Sequence, residues 1–428
     1  MTSEQIAALG PAFTAYCQTF ARCFPRRETR KHLATYCRGL MSDLARKSAE
    51  PIALAAGMAV RTMQEFLTHH TWDHVRMRDQ LQHRIVRDHL PAPGPPTPGS
   101  KVDPLGVIGL IDETSGPKKG DKTPGVQKQY CGRLGKIENC IVTVHLACLH
   151  GEFKTLIDSD LFLPKSWNAD RERCRDAYIP DDVVYRPKSE IALEQYRRAV
   201  ANGIRFDWLT FDEWYGSKPQ FLAELEKAGQ HYVAEVPIST LCWPTLPKYH
   251  SGQKPFAAKR ADNVARYSPV FGRKKWRMIK IRRKTFPPQR WLVKAAQVYL
   301  SRSGRPTDRI YWLIKAKNAE TGEIKYFLSN APPRTALQTL LGVAFTRAHI
   351  EHVFRVAKTE IGFSHFEGRS YIGLMRHMIL CQLVLTFVAE QTERLRGKKY
   401  RDHTRTTRPG SQHRLPPMAT PRPSALAG

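Results

Sequence analysis

The stretch 107-VIGLIDETSGPKKG-120 decides how this chain is read. Val107 to Ile111 are apolar or small, as in a buried strand; Asp112 and Glu113 follow, and then a loop with Lys118 and Lys119. Charge at the end of a buried strand is unfavourable unless something is there to hold it. The pair is also out of keeping with the chain. Its 68 Lys and Arg stand against 39 Asp and Glu, a formal net charge of +29. An excess of that size speaks of partners rather than fold, and phosphate backbones are its commonest partner.

Outward from this stretch the texture is that of a mixed sheet. CIVTVHLACLHG and FKTLIDSDLFLP are short apolar runs between Gly and polar turns, which reads as antiparallel strands. Then 190-EIALEQYRRAVANG-203 reads as a helix, RFDWLTFD as a buried strand ending at Asp212, 218-KPQFLAELEKAG-229 as a helix and HYVAEVP as a strand. This order predicts an α/β fold, a mixed sheet flanked by helices. Residues of about 238–335 are rich in Lys, Arg and Trp with β-like pieces, a β-rich insertion. Helices return at 336–362 and 371–391. The last is apolar nearly all round and reads as a core helix, its apolar run too interrupted for the roughly 20 residues of a membrane span.

Residues 1–90 read as helical. In 50-EPIALAAGMAVRTMQEFLTHHTWD-73, Ala53, Gly57, Val60, Met63 and Phe66 sit where a helix-turn-helix needs a small crossing residue, a turn glycine and buried apolar side chains. An ordinary helical hairpin has the same spacing; the basic charge favours DNA binding. A Pro-rich linker spans 91–103, the sheet-bearing domain 104–393, and a basic, Pro-containing tail 394–428 reads as disordered. The N-terminus lacks the pattern of a signal peptide. Nine scattered cysteines without a CxxC pair suggest a reducing compartment rather than a disulfide framework. Cys140, His145, Cys148 and His150 match no common zinc spacing and read as alternate residues of a strand.

Three acids stand out by position: Asp112 and Asp212 at strand ends, and Glu351 on a helix. Carboxylates that converge repel one another unless a cation sits among them. At about 100° per residue, Arg347 lies about 40° and Lys358 about 20° from Glu351. The three form one polar stripe opposite Ile350, Val353, Phe354 and Ala357. A solvated, salt-bridged helix face accounts for such a stripe equally well.

Arg347, Glu351 and Lys358, at that spacing, resemble the Tyr–Arg–Glu–Lys signature of DDE transposases of bacterial insertion sequences. DETSGPKKG with QKQYCGRLGKIENCIVTVHLA resembles the first-Asp segment of the DDE endonuclease branch, and TFDEWYG the second. IEHVFRVAKTEIGFSHFEGRSYIGLMRHMIL resembles the third, so that the resemblance covers roughly residues 15–390. It implies an RNase H-like core with a β-rich insertion, preceded by an all-α DNA-binding domain. It implies that Asp112, Asp212 and Glu351 hold two Mg²⁺ ions, for which Mn²⁺ can substitute, and that Arg347 and Lys358 contact phosphates. The signature Tyr is replaced by Ala344, which leaves the hairpin step of excision open.

The expectation is therefore an insertion-sequence transposase, cutting and joining DNA ends by metal-dependent phosphodiester chemistry. Its partners would be double-stranded DNA, both element ends and target, and a second copy in a homodimeric synapse. No membrane is expected, and the bacterial cytoplasm, at the nucleoid, is the expected place. A non-catalytic DNA-binding descendant and an RNase H-like nuclease without joining activity are the alternatives. Lys118, Lys119, Arg273, Lys274 and Lys275 are candidate DNA contacts, the two lysines reading equally as a solvated loop. Glu113 and Asp207 read as structural, and Trp276, Trp291 and Trp312 as β-core residues.

Overall fold

The computed structural model describes residues 7–92, 103–250, 253–283 and 286–405. Five helices come first: α1 (Leu9–Gln18), α2 (Arg27–Met41), α3 (Ala49–Ala55), α4 (Val60–Thr68) and α5 (His74–His89). Strands β1 (Ile108–Pro117), β2 (Gln127–Cys131), β3 (Lys136–His150) and β4 (Phe153–Leu161) follow. Next are α6 (Lys165–Ala169), α7 (Arg171–Asp176), α8 (Lys188–Ala201), β5 (Trp208–Phe211), α9 (Glu213–Gly216), α10 (Pro219–Lys227) and β6 (Tyr232–Glu235). The basic region holds β7 (Leu241–Trp243), β8 (Lys259–Arg260), α11 (Ala261–Tyr267), α12 (Pro269–Gly272) and β9 (Arg277–Arg283). It continues with β10 (Phe286–Arg302), β11 (Arg305–Pro306), β12 (Tyr311–Asn318) and β13 (Ile324–Ser329). The chain then runs through α13 (Leu337–Thr346), α14 (Ala348–Thr359) and α15 (Tyr371–Arg405).

The result is a mixed α/β fold on one large sheet. Its order is β2-β3-β1-β5-β6-β13-β12-β10-β7-β8, with β4 on β3 and with β9 and β11 on β10. β1 runs antiparallel to β3 and parallel to β5, and β5 runs parallel to β6. The parallel strands are joined through α8 and α10, as crossover connections require. β3 is buried without alternation from Cys140 to Leu149, and β4 almost throughout, so layers cover both faces of the sheet there. The strands of 241–329 add to the same sheet, because β13 pairs with β6.

Local chemistry sets several boundaries. Asp73 caps α5 by accepting from the Val75 and Arg76 amides. Within residues 1–90, which read as helical, α2 stops at Met41, where Ser42 turns extended and its hydroxyl donates to the Gly39 carbonyl at 2.7 Å. α3 and α4 are joined by a turn, with Gly57 at φ +64° in it and Ala53, Met63 and Phe66 buried. The helix expected over 336–362 is two helices meeting at Arg347. There the Arg347 amide bonds to Ala344 and the Ile350 amide to Arg347, a three-residue tightening of the turn.

The N-terminal helices share one apolar core with the sheet, running from Phe13 to Phe387. α15 is the centre of this packing. Tyr16 donates to the Leu383 carbonyl at 2.9 Å, Tyr36 meets His377 at 2.9 Å, and Arg84 forks onto Glu390. The expected interruption of its apolar run is corrected: Tyr371–Leu395 is long and apolar enough to cross a membrane by length and composition, and 78% of that window is buried inside the protein. Its buried polar groups fit a core helix, since Arg376 donates to the Leu67 and Trp72 carbonyls. The disordered tail expected from Arg394 is corrected in part, because α15 continues to Arg405. Gln, Glu, Arg and Lys there are good helix formers and no proline intervenes before Pro409. Residues 406–428, and 93–102 of the expected linker, lie outside the described residues.

Among the tryptophans, Trp291 is a core residue and Trp312 partly so, whereas Trp276 is 42% exposed with the Lys294 ammonium over its ring. It stands in the link between α12 and β9, outside the strands that build the core. All nine cysteines are free and buried. His145 is held by Thr143 and Ser159, in the strand-residue role expected of it.

The parallel β1–β5 pairing is clamped at its start. Asp207 accepts from the Val107 amide at 2.7 Å. Gly106 stands at φ +67°, and a Cβ there would lie 2.1 Å from the Asp207 carboxylate. Gly106→Ala is therefore expected to destabilise the protein by about 1–2 kcal/mol from backbone strain alone, with added loss from the displaced Asp207. Chemical denaturation checks this.

Candidate active site at the ends of two parallel strands

The β1–β5 register runs Ile108 against Trp208 through Ile111 against Phe211. Asp112 and Asp212 each come one residue later, so the register brings them to neighbouring positions where the parallel pairing stops. β5 ends there, but β1 runs on to Pro117 against β3, so Asp112 lies within its strand and not at the end expected from the apolar run. Asp212 turns the chain: it caps α9, accepting from the Tyr215 amide at 3.2 Å. Gly216 lets that turn pack on β6, where a Cβ would meet the Glu235 carbonyl oxygen at 2.0 Å. The Tyr-Gly that follows the second acid thus has a steric reason.

Asp112 is largely enclosed. Burial pushes its carboxyl up to about 7; the Arg347 guanidinium opposes this and Asp212 adds to it. Its Oδ1 accepts from the Glu113 amide at 2.8 Å. Arg347, at the α13–α14 junction, donates to Asp112 Oδ2 at 3.2 Å and to Glu351 Oε1 at 3.3 Å. One guanidinium therefore ties the acid on β1 to the helix acid. Glu351 lies in the first turn of α14 with its side chain 62% exposed. Ile350, Val353, Phe354 and Ala357 bury the opposite side of that helix.

These residues border an open cleft of about 400 Å³. Asp112, Glu113, Thr114 and Ser115 lie along β1, Tyr130 and Arg133 on the β2–β3 hairpin, and Glu351, Arg355 and Lys358 on α14. Lys358 is half-buried, and desolvation, helped by Arg133, holds its ammonium below the ordinary lysine range.

The other candidates fall in different places. Lys118 is enclosed and donates to the Ser364 and Phe366 carbonyls, and burial lowers its ammonium to about 8. Lys119 is exposed in the loop beyond it, and Arg273, Lys274 and Lys275 are exposed between α12 and β9. Glu113 accepts from Lys188 at 2.6 Å. Reading residues one at a time passed over Lys188, Tyr130 and Arg133. The turn signal CGRLG was the one available pointer to Arg133 as a hairpin tip.

The chemistry of the donors can be tested against a divalent cation. Asp112 and Asp212 offer hard oxygens of the kind magnesium takes, usually one or two carboxylates completed by water and substrate oxygens. Glu113 Oε2 and the Tyr215 hydroxyl are buried beside them without hydrogen-bond partners among the described residues. Burial, then the charges of Glu113, Asp112 and Asp212, raise the Tyr215 hydroxyl far above its ordinary range. The point where β1 and β5 part therefore carries more negative charge than Arg347 balances, and a divalent cation fits that excess. The three acids do not close into a cage by themselves: among the described residues no three His, Cys, Asp or Glu side chains are gathered to hold a metal. Arg347 fills the gap between Asp112 and Glu351.

Comparison with known proteins bears on this arrangement. Residues 19–288 match the family described as DDE superfamily endonuclease, a span that includes Asp112 and Asp212 and ends before Arg347. The chain is also 28% identical over 242 residues to a probable transposase for insertion sequence element IS701 of Microchaete diplosiphon. That alignment covers 55% of this chain and 56% of the relative, so the chain spans about half the relative's length.

The Asp112 carboxyl makes a pH prediction for the protein free of divalent cations. Its value is raised on folding, so ionising it carries no stability penalty below about pH 4 and the full penalty above about pH 7. Asp112→Asn should therefore raise the melting temperature at pH 8, and the gain should shrink towards zero near pH 4. Thermal melts in chelator-containing buffers across this range check the sign.

Proposed function

The chain belongs to the DDE superfamily endonucleases, and from that premise we propose that it is an insertion-sequence transposase. It binds the terminal inverted repeats of its element, cuts the DNA there and joins the freed ends to target DNA. The observation that supports this best is the pair of acids Asp112 and Asp212, set side by side where the β1–β5 pairing stops and linked to Glu351 through Arg347. The five-strand order β4-β3-β1-β5-β6, with three antiparallel strands followed by two parallel ones, supports an RNase H-like core within 104–393. The strands of 241–329 are then the β-rich insertion, and the helices of 1–90 the DNA-binding part, with α4 as the second helix of a helix-turn-helix.

In this reading Asp112, Asp212 and Glu351 hold two magnesium ions, with manganese as a substitute. When bound, magnesium supplies Lewis acidity at the phosphoryl oxygens and at the attacking and leaving oxygens. The protein's own groups do the rest. Arg347 exchanges the carboxylates for a phosphate, to which its planar fork is matched. Lys358, two turns along α14 on the same stripe, neutralises a second phosphate. Both reactions are in-line displacements at phosphorus. In the first, water attacks and the 3′-oxygen leaves with a proton; in the second, that 3′-hydroxyl loses its proton as it attacks a target phosphodiester, and the target strand's own 3′-oxygen leaves with a proton. Ala344, buried at the end of α13, cannot supply the contact of the signature tyrosine.

The partners are double-stranded DNA, as element ends and as target, and a second copy of the chain in the synapse that holds two ends together. The substrate places the protein at the nucleoid of a bacterial cytoplasm. The net charge of +29 supports the DNA partner. Lys119, Arg273, Lys274 and Lys275 are exposed cations available to it.

Alanine at Asp112, Asp212 or Glu351 should each abolish magnesium-dependent cleavage of DNA carrying the element's ends, while gel-shift affinity stays near that of the unaltered protein. Three variants that all still cleave would sink the assignment. A strand-transfer assay with pre-cut ends tests the joining step separately.

A further inference from the structure

Resting on the transposase reading, we propose that Arg133, at the tip of the β2–β3 hairpin, is a phosphate-binding residue that grips the cleaved DNA strand from the wall opposite Lys358. The position of Arg133 is built rather than incidental. The Leu134 and Gly135 amides both donate to the Cys131 carbonyl at 2.9 Å, and Gly135 takes φ +65°, which closes a tight turn. The Arg133 amide donates to Ser115 Oγ at 3.3 Å, and Cys131 Sγ reaches the same oxygen at 3.4 Å. Ser115 is three residues beyond Asp112 on β1. The hairpin tip is therefore tied to the strand that carries the candidate acid, while the guanidinium stays in solvent.

Among the described residues the cations around it have no acidic partner: Arg355 meets His352 and the Lys358 ammonium lies over the Phe354 ring. Arg133, Arg355 and Lys358 all line the cleft. Among the described residues neither Arg133 nor Lys358 forms an ion pair with an acid, and Arg347 is already engaged by Asp112 and Glu351. Like charges facing each other across a half-buried cleft repel, and the lowered ammonium of Lys358 reflects this after desolvation. An anion between them removes the repulsion. A phosphodiester, with two free oxygens, matches the guanidinium fork. Tyr130, exposed on the same hairpin and also lining the cleft, offers an aromatic face to a base, which favours a nucleic-acid strand over free phosphate.

The test uses the full chain in chelator, which prevents cleavage. The probe is a fluorescein-labelled duplex of arbitrary sequence with a single-stranded 3′ overhang, since phosphate contacts do not depend on sequence. Anisotropy titrations between about 50 and 200 mM salt should give R133Q a log–log slope lower by about one than the unaltered chain. Its affinity deficit then narrows about fourfold across that range, and R133K keeps the slope. In the unaltered chain, the same DNA should protect Arg133 from phenylglyoxal at least about threefold, read by mass spectrometry, and inorganic phosphate at equal phosphate concentration should not. The protection experiment decides even if R133Q folds poorly. An R133Q slope equal to that of the unaltered chain, or Arg133 modified equally with and without DNA, overturns the proposal and leaves the transposase reading standing. An unaltered chain that shows no salt-dependent DNA binding overturns both.

Discussion

The register of one parallel strand pair underlies the site. β1 and β5 are clamped at their start by Asp207 on the Val107 amide, with Gly106 leaving room for the carboxylate. Four residue pairs later the strands deliver Asp112 and Asp212 together. A slip of one residue would turn one of the two acids to the opposite face. Asp207 and Asp212 belong to the same segment and have opposite tasks: the first holds the register and the second stands where the register leads.

The second constraint is electrostatic. Acids gathered where two buried strands part need a counter-charge, and for Asp112 and Glu351 it is Arg347, which reaches both. Its position at the break between α13 and α14 follows from the three-residue hydrogen bonds there, which separate a buried helix from one that presents a polar stripe. The chain's large positive charge is thus divided. A few cations face inward to acids or carbonyls, as Arg347 and Lys118 do, and others line the cleft without acidic partners.

The core ties these parts together. α15 packs against β4 and against α2, α4 and α5, and its buried polar groups are paired with the N-terminal helices through Tyr16, Tyr36 and Arg84. Lys47, just ahead of α3, donates to the Leu40 carbonyl at 2.9 Å and to that of Glu360 just beyond α14. The helical region that reads in sequence as a separate unit is therefore tied to the chain just beyond the helix carrying Glu351.

What the sequence determined by itself is what periodicity and local chemistry encode. Strand-length apolar runs ending in Asp, helix-length amphipathic stretches, and the stripe of Arg347, Glu351 and Lys358 were all readable, and with them the mixed sheet flanked by helices. The segment of 238–335 was readable as β-rich, but not that β13 would pair with β6 and extend one sheet, since strand pairing between distant segments leaves no local mark. Helix ends were misjudged where a hydroxyl or a turn competes with the helix, as at Ser42, and where charged residues continue one, as in α15 to Arg405. Only the tertiary structure decided the charge partners: Arg347 between two acids, Lys118 on backbone carbonyls, and Arg133 brought beside Lys358 by a hairpin. Those choices depend on which groups are desolvated together, and desolvation is a property of the packed chain.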